Sequence, residues 1–377
     1  MRAQPSHPLR CADGVPRARD AIERDVCKAL DLGLVGLPQA GKTAVLEMLA
    51  AGTGAHVVVA QVPDARLSVL AGIFHPKKVT PATIRLTELP GLQPGRLEKG
   101  ERNTFFEGVR RSDALLHVVR AFRDPAVAYP RDEVDPLRAA RDVEEELLLA
   151  DLERVETLSE RLEKNRARGR VEDLQLESLQ RCVRGLGEAR PVRCLGLTAE
   201  ALAGLSGFGL LTARQELLAL NLDEDQLRDG AAFPELQAWA DASAVTVVPF
   251  SAKVEAEIAG LPAEERVAFL AAYGLTETGA DRLARAAYAA LGLISFLTAG
   301  EDEVRAWPIT HGTVARRAAG KIHSDIERGF IRAEIAAYAD LVRAGDWKVL
   351  REKGLLRLEG QDYVVRDGDV VNFRFHV

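Results

Sequence analysis

The clearest structural signal in this chain is the stretch GLPQAGKT, which occupies residues 36–43. It matches the pattern GxxxxGK(S/T) in full, follows an apolar run at residues 32–35 and precedes a helical run that starts at Ala44. The glycines of such a loop let backbone N–H groups surround phosphates, and the following helix adds the positive end of its dipole. The pattern predicts a phosphate-binding P-loop between a strand and a helix.

Each side chain of this loop has an expected task. Lys42 can reach the outer phosphates of a nucleoside triphosphate, and the Thr43 hydroxyl is a ligand for Mg²⁺. The alternative, a glycine turn with an incidental lysine and threonine, is disfavoured because strand, loop and helix follow in the required order. Gly36 and Gly41 permit the tight loop whose backbone N–H groups would surround the phosphates.

Further apolar runs alternate with helical stretches, at residues 84–87, 115–119, 217–220 and 245–248. This alternation predicts an α/β fold with a doubly wound, mostly parallel sheet. In such sheets ligands bind at the carboxyl ends of the strands, which is where the next two motifs fall.

One of these motifs reads ELPGL, at residues 88–92, where a GTPase carries DxxG. Glu88 takes the place of the aspartate that holds the magnesium shell, and Gly91 keeps the N–H that senses the terminal phosphate. Leu92 stands where Ras-like enzymes have a water-orienting glutamine, and a leucine cannot orient water by hydrogen bonding. The expected metal ligands are therefore Thr43 and Glu88.

The base-binding motif reads NLDE, at residues 221–224, where a guanine-specific site carries NKxD. Leucine replaces the lysine, and glutamate replaces the aspartate that would accept both guanine N–H groups, so the motif argues against strict guanine specificity. A second loop, SAK at residues 251–253, follows the next strand. The expected base contacts are Asn221, Leu222, Glu224, Ser251 and Ala252.

Two other regions have different patterns. Heptad-like leucine spacing after Val143 predicts an antiparallel helical hairpin whose basic tip spans residues 161–170. A solvated turn is the usual meaning of such a charge run, and RNA contact is the alternative. After Ile294 short strands and turns predict a small α+β unit, in which the Asp367 and Gly368 pair is typical of a hairpin turn.

Composition excludes several function classes. With a net charge of −6, the chain has no global attraction to nucleic acid. Its four cysteines and seven histidines form no CxxC, HxxxH or HExxH pattern, so the spacing of a dithiol redox site or of a zinc site is missing from the sequence. No apolar stretch approaches the ~18 residues that span a bilayer, and we expect a cytoplasmic protein with no membrane partner.

Longer segments resemble a known family: PDARL at residue 63, DALLHVVRAF at 113 and EVRAWPITHGTVARRAAGKIHSDIERGFIRAE at 303. With the P-loop, they make residues 32–377 similar to the YchF or Obg-like ATPases. The resemblance implies a P-loop core, a coiled-coil insertion, a C-terminal TGS domain of β-grasp type, ATP preferred over GTP, and association with ribosomes. It also implies phosphate contacts by Gln39, Ala40, Gly41, Lys42 and Thr43, and Ala44 is a further expected nucleotide contact. The expected division is an extension at 1–30, a core at 31–142 and 189–293, a hairpin at 143–188 and a TGS domain at 294–377.

The chain also departs from that family. The switch segment with its magnesium-contacting threonine is missing between residues 44 and 62, and Tyr129 takes the place of a proposed catalytic histidine. A neutral phenol is a poor general base near pH 7. No catalytic residue is identified from the pattern, and the candidates are Lys42, Glu88 and Tyr129. Two hypotheses follow: a slow NTPase that uses ATP (or GTP) and Mg²⁺, or a nucleotide-binding module that has lost hydrolysis. Ribosome or RNA contact is expected through the hairpin tip and the TGS domain.

Overall fold

The computed structural model describes residues 30–49, 55–93, 99–131, 133–164 and 170–376. The expected N-terminal extension, up to residue 29, and the centre of the basic tip, residues 165–169, lie outside these ranges. The strands are β1 (Asp31–Val35), β2 (Val57–Gln61), β3 (Lys78–Thr80), β4 (Thr83–Glu88), β5 (Ala114–Arg120), β6 (Gln215–Asn221), β7 (Thr246–Phe250), β8 (Leu293–Ala299), β9 (Glu303–Thr310), β10 (Phe330–Ala337), β11 (Arg357–Glu359) and β12 (Asp369–Phe375).

Helices connect most of these strands. They are α1 (Lys42–Leu49), α2 (Ala65–Phe74), α3 (Lys99–Arg111), α4 (Pro136–Lys164), α5 (Arg170–Gly187), α6 (Ala199–Leu205), α7 (Glu224–Arg228), α8 (Pro234–Ala242), α9 (Ala252–Gly260), α10 (Ala263–Ala272), α11 (Gly279–Ala290), α12 (Ala315–Ile322), α13 (Ser324–Arg328), α14 (Tyr338–Ala344) and α15 (Trp347–Glu352). Short 3₁₀ turns lie at Val192–Cys194 and Ser206–Phe208. No helix in the described ranges has the length and apolar character needed to cross a membrane.

The first sheet has the strand order β2-β4-β1-β5-β6-β7, and all neighbours are parallel except β2, which runs antiparallel to β4. Successive side chains of a strand point to opposite faces, and β5 shows this directly. Leu116 packs with α1 and α11 on one face, whereas Leu115 packs with α3 and the start of α4 on the other. The prediction of a doubly wound, mostly parallel sheet is confirmed.

Helices α4 and α5 form the antiparallel hairpin, packed through a cluster that includes Leu148, Leu179 and Cys182. A buried carboxylate fixes the hairpin to the chain that leads into β6. Asp151 accepts hydrogen bonds from the backbone N–H groups of Leu211 and Thr212, at 2.8 and 2.7 Å. Burial raises the pKa of Asp151, while these hydrogen bonds lower it.

The second sheet has the order β11-β10-β12-β8-β9-β3, and α12 packs on one of its faces. Its strand β3 comes from a segment that the sequence division placed in the core, and it pairs in parallel with β9, Val79 opposite Val304. The two sheets are thus joined by backbone pairing as well as by the apolar cluster between them.

The expected hairpin at Asp367 and Gly368 is wrong in one respect. A turn does form, with Gly368 at a φ of 80° and the N–H of Asp369 bonded to the carbonyl of Arg366 at 3.1 Å. It is not a hairpin, because β12 pairs with β10 and β8 rather than with the run before the turn.

Candidate nucleotide site

The loop between β1 and α1 takes its shape from two glycines with positive φ angles. A Cβ added at Gly36, where φ is 145°, would lie 2.4 Å from the carbonyl oxygen of Val118. A Cβ at Gly41, where φ is 102°, would lie 2.4 Å from Nδ2 of Asn221. Only glycine fits either position, because its φ angle is strained for other residues and because β5 and the end of β6 leave no room for a side chain.

Lys42 is the first residue of α1 and is buried. Its ammonium donates hydrogen bonds to the carbonyl oxygens of Gly36 and Leu37, at 3.3 and 3.2 Å, which hold it beside the loop. Gly91 lies against it, since a Cβ there would be 3.3 Å from Nζ. Burial lowers the pKa of Lys42, and the nearby carboxylate of Glu88 opposes that shift.

Thr43, Glu88 and His56 form a connected polar group beside Lys42. The Thr43 hydroxyl donates to Oε1 of Glu88 at 3.1 Å, and Nδ1 of His56 lies 3.0 Å from Oε2 of the same carboxylate. The two carboxylate oxygens thus have different partners.

These residues border an open cavity of about 650 Å³. Loop and strand-end residues line it: Pro38, Gln39, Gly41, Lys42, Thr43, Ala44, His56, Glu88, Leu89, Pro90 and Gly91. The predicted metal ligands and most of the predicted phosphate contacts therefore meet at one cavity, whereas Gly36 and Ala40 are not among its lining residues.

The donor set fits a magnesium nucleotide. The hydroxyl of Thr43 and the carboxylate of Glu88 are hard oxygen ligands, and Mg²⁺ in nucleotide sites usually takes only one or two protein ligands beside phosphate oxygens and water. The N–H groups of the first turn of α1 have no partners within the helix and point along its axis, where an anion is favoured.

Asn221 connects the predicted base-binding motif to the P-loop. Its amide nitrogen donates to the carbonyl of Ala40 at 3.2 Å, and its amide oxygen accepts from the N–H of Ala252 at 3.1 Å. The side chain is buried, and its polar atoms bond to the protein. Asn221 therefore holds the loop to the ends of β6 and β7.

The two residues that depart from the guanine motif have different surroundings. Leu222 is only 4% exposed and packs in the apolar cluster on the α3 face of the sheet. Glu224, at the start of α7, accepts a hydrogen bond from the Tyr273 hydroxyl at 2.9 Å and lies 3.7 Å from the ammonium of Lys253. Leu222 is thus a core residue, and the Glu224 carboxylate is engaged by protein groups.

Ser251 and Ala252 lie where the sequence placed them, at the end of β7 and the start of α9. Ser251 is fully buried, and within the described ranges its hydroxyl has no hydrogen-bond partner. Among the described residues, this hydroxyl is therefore a buried polar group without a hydrogen-bond partner, in the loop that is expected to contact the base.

Tyr129 is the one catalytic candidate that does not reach the phosphate cavity. It lies in a separate cavity, where its ring centre is 4.9 Å from the guanidinium carbon of Arg120. Arg120 also donates hydrogen bonds to the carbonyl oxygens of Phe122 and Asp124 in the same loop. The loop therefore surrounds the guanidinium group of Arg120. Burial raises the pKa of the Tyr129 phenol, which keeps it neutral.

Sequence reasoning missed His56 at this site. Its position follows from the pairing of β2 with β4, and no strand was predicted over residues 57–61. Leu92 was expected beside the terminal phosphate, but its side chain is fully buried in the apolar core, so it presents nothing to a water molecule.

Comparisons with known proteins show the family to which this chain belongs. Residues 293–376 match the family model YchF-GTPase_C, described as a protein of unknown function, and residues 31–156 match the model described as 50S ribosome-binding GTPase. The ribosome-binding ATPase YchF of Bacillus subtilis is 38% identical over 368 residues, covering 93% of this chain and all of the relative. The chain belongs to the YchF family.

Other members agree with this assignment. YchF of Haemophilus influenzae is 37% identical, with 92% of this chain and 99% of the relative covered. The Obg-like ATPase 1 of Caenorhabditis elegans is 33% identical, with 92% of each chain covered. The solved structure of the Schizosaccharomyces pombe YchF GTPase superposes with a TM-score of 0.82 at 28% identity, covering 92% of this chain and 97% of that one.

Proposed function

We propose that this YchF-family chain binds ATP with Mg²⁺ at the P-loop and hydrolyses it slowly. One observation carries the proposal: Lys42, Thr43 and Glu88 converge on one cavity, with the Thr43 hydroxyl 3.1 Å from the Glu88 carboxylate. These are the groups that would hold the phosphates and the cation. The names of the relatives, ribosome-binding ATPase and Obg-like ATPase, agree with this ligand.

Adenine is preferred over guanine in this proposal because of the surroundings of Glu224. Guanine recognition needs a free carboxylate that accepts from two neighbouring N–H groups of the base. The Glu224 carboxylate already accepts from the Tyr273 hydroxyl and lies 3.7 Å from the ammonium of Lys253 in the SAK loop. A titration of the chain with ATP and with GTP in the presence of Mg²⁺ tests this preference, and tighter GTP binding would contradict it.

Slow turnover is expected from what the cavity contains. Bound Mg²⁺ would neutralise charge on the phosphate oxygens, and Lys42 would do the same from the protein side. Leu92 is buried and Tyr129 lies in another cavity, so neither orients an attacking water. These two observations also favour the second candidate function, a nucleotide-binding module without hydrolysis.

Single-turnover hydrolysis decides between the two candidates. The chain is mixed with limiting radiolabelled ATP and Mg²⁺, with and without ribosomes, and phosphate release is followed. The ATPase proposal expects release that is slow for the chain alone and faster with ribosomes. A rate no higher than that of free ATP in both mixtures would leave only the binding module.

We propose further that the chain acts in the cytoplasm and that its partner is the ribosome, as the names of its relatives suggest. The proposed division keeps the extension, core, hairpin and TGS domain at the expected boundaries, with Lys78–Thr80 added to the second sheet. Sedimentation of the chain with ribosomes, with ATP and without it, tests the partner. A chain that stays in the supernatant under both conditions would contradict it.

A further inference from the structure

His56 stands opposite Glu88 because of strand register. Val57 pairs with Thr87 in the antiparallel ladder of β2 and β4, and the N–H of Glu88 donates to the carbonyl of His56 at 2.8 Å. Directly opposed residues of an antiparallel pair project their side chains to the same face, about 5 Å apart at Cβ. The pairing of β2 with β4 therefore places the imidazole of His56 beside the carboxylate of Glu88.

The imidazole makes a directed contact rather than a packing contact. Nδ1 of His56 lies 3.0 Å from Oε2 of Glu88, and the His56 side chain is 87% exposed while that of Glu88 is only 13% exposed. An ionised carboxylate only accepts hydrogen bonds, so the ring nitrogen that faces it is the donor. The contact assigns the Nδ1–H group to Oε2.

The other carboxylate oxygen, Oε1, faces Thr43, the second expected metal ligand. Oε1 of Glu88 accepts from the Thr43 hydroxyl at 3.1 Å, and Lys42 interacts electrostatically with the same carboxylate. A glutamate has one more rotatable bond than the aspartate usual at this position, so it needs a further contact to hold one orientation.

We propose that His56 is a positioning residue for Glu88: its Nδ1–H fixes Oε2 so that Oε1 faces Thr43 and the cation of a bound magnesium nucleotide. Hydrogen bonds of this kind to a ligating carboxylate commonly change metal affinity by about 10- to 100-fold. The inference rests on the proposed nucleotide site and adds a residue that governs its Mg²⁺ dependence.

The test compares three substitutions in the full chain. His56→Ala removes the donor, His56→Asn keeps an N–H near the position of Nδ1, and His311→Ala removes a histidine from an exposed turn on the second sheet. Binding of a fluorescent ATP analogue is measured at increasing Mg²⁺ concentration and in EDTA. Thermal unfolding of each variant shows that it is folded.

The proposal expects His56→Ala to raise the half-saturating Mg²⁺ concentration about tenfold, with binding in EDTA unchanged. His56→Asn should recover most of the loss, and His311→Ala should match the wild type. Equal Mg²⁺ dependence of His56→Ala and the wild type would overturn the inference and leave the nucleotide proposal standing. Equal losses in the alanine and asparagine variants would also overturn it. A wild type that binds no ATP analogue would overturn both.

Discussion

At the scale of single residues, the site is built by contacts that leave little freedom. At Gly36 and Gly41, neighbouring backbone and amide atoms exclude any side chain larger than hydrogen. Asn221 bonds the loop to the ends of two strands. The GxxxxGK(S/T) pattern predicted the loop because its chemistry is local. The burial of Leu222 could not be predicted, because it depends on the packing of α3 and α8 against the sheet.

Gly41→Ala should weaken ATP binding. The added methyl would lie 2.4 Å from the Asn221 amide, and alanine is strained at a φ of 102°. Gly230→Ala is the matched control, because Gly230 also has a positive φ but open space around it. Calorimetric titration should show at least a tenfold weaker affinity for the first variant only, corresponding to about 1.4 kcal/mol. Equal affinities would show that the loop has room for a side chain.

Leu222→Ala should act on stability rather than on base recognition. Removing a buried leucine commonly costs about 2–5 kcal/mol of unfolding free energy, and Leu222 is 4% exposed. Leu222→Met preserves the volume and should keep both stability and ATP affinity. Urea unfolding and ATP titration of both variants measure this. A loss of affinity without a loss of stability would make Leu222 a base contact.

At the scale of elements, the hairpin is held by a side chain inside α4 rather than by its leucines alone. Asp151 is fully buried and bonds to the backbone N–H groups of Leu211 and Thr212 and to the Thr212 hydroxyl. The heptad spacing predicted the two helices. It could not predict this link, because Asp151 bonds to residues that follow it by 60 and 61 positions in the chain.

Asp151→Asn should destabilise the chain by about 1–3 kcal/mol, because an amide group would leave a buried backbone N–H without an acceptor. Glu153→Gln, at an exposed position of the same helix, is the control. Chemical denaturation followed by circular dichroism measures the difference. Equal stabilities of the two variants would show that the buried carboxylate contributes nothing.

At the scale of the whole molecule, the two sheets form one structure through contacts that are distant in sequence. β3 joins β9, and Arg66 of α2 bonds to Asp64 and, at 2.7 Å, to Asp367 in the turn before β12. Asp367 in turn accepts from the N–H of Ser295 at 2.9 Å. The alternating runs predicted the first sheet, and the short strands and turns after Ile294 predicted a separate C-terminal unit. Neither pattern could show that residues 78–80 form a strand of the second sheet.

Arg66→Met should weaken the link between the sheets by about 1 kcal/mol, since the ion pair with Asp367 is partly exposed. Lys77→Met is the control, because the pair of Lys77 with Asp302 lies in solvent. Calorimetric melting should show a lower Tm for Arg66→Met and an unchanged one for Lys77→Met. Identical melting curves would contradict a stabilising role of Arg66.

We propose that the P-loop cavity holds a magnesium nucleotide through Lys42. Isothermal titration of the wild type and of Lys42→Ala with ATP, in Mg²⁺ and in EDTA, tests this proposal. The structure predicts saturable binding to the wild type that is tighter in Mg²⁺, and a loss of at least about tenfold in Lys42→Ala. No binding at millimolar ATP, or equal binding to both proteins, would contradict it.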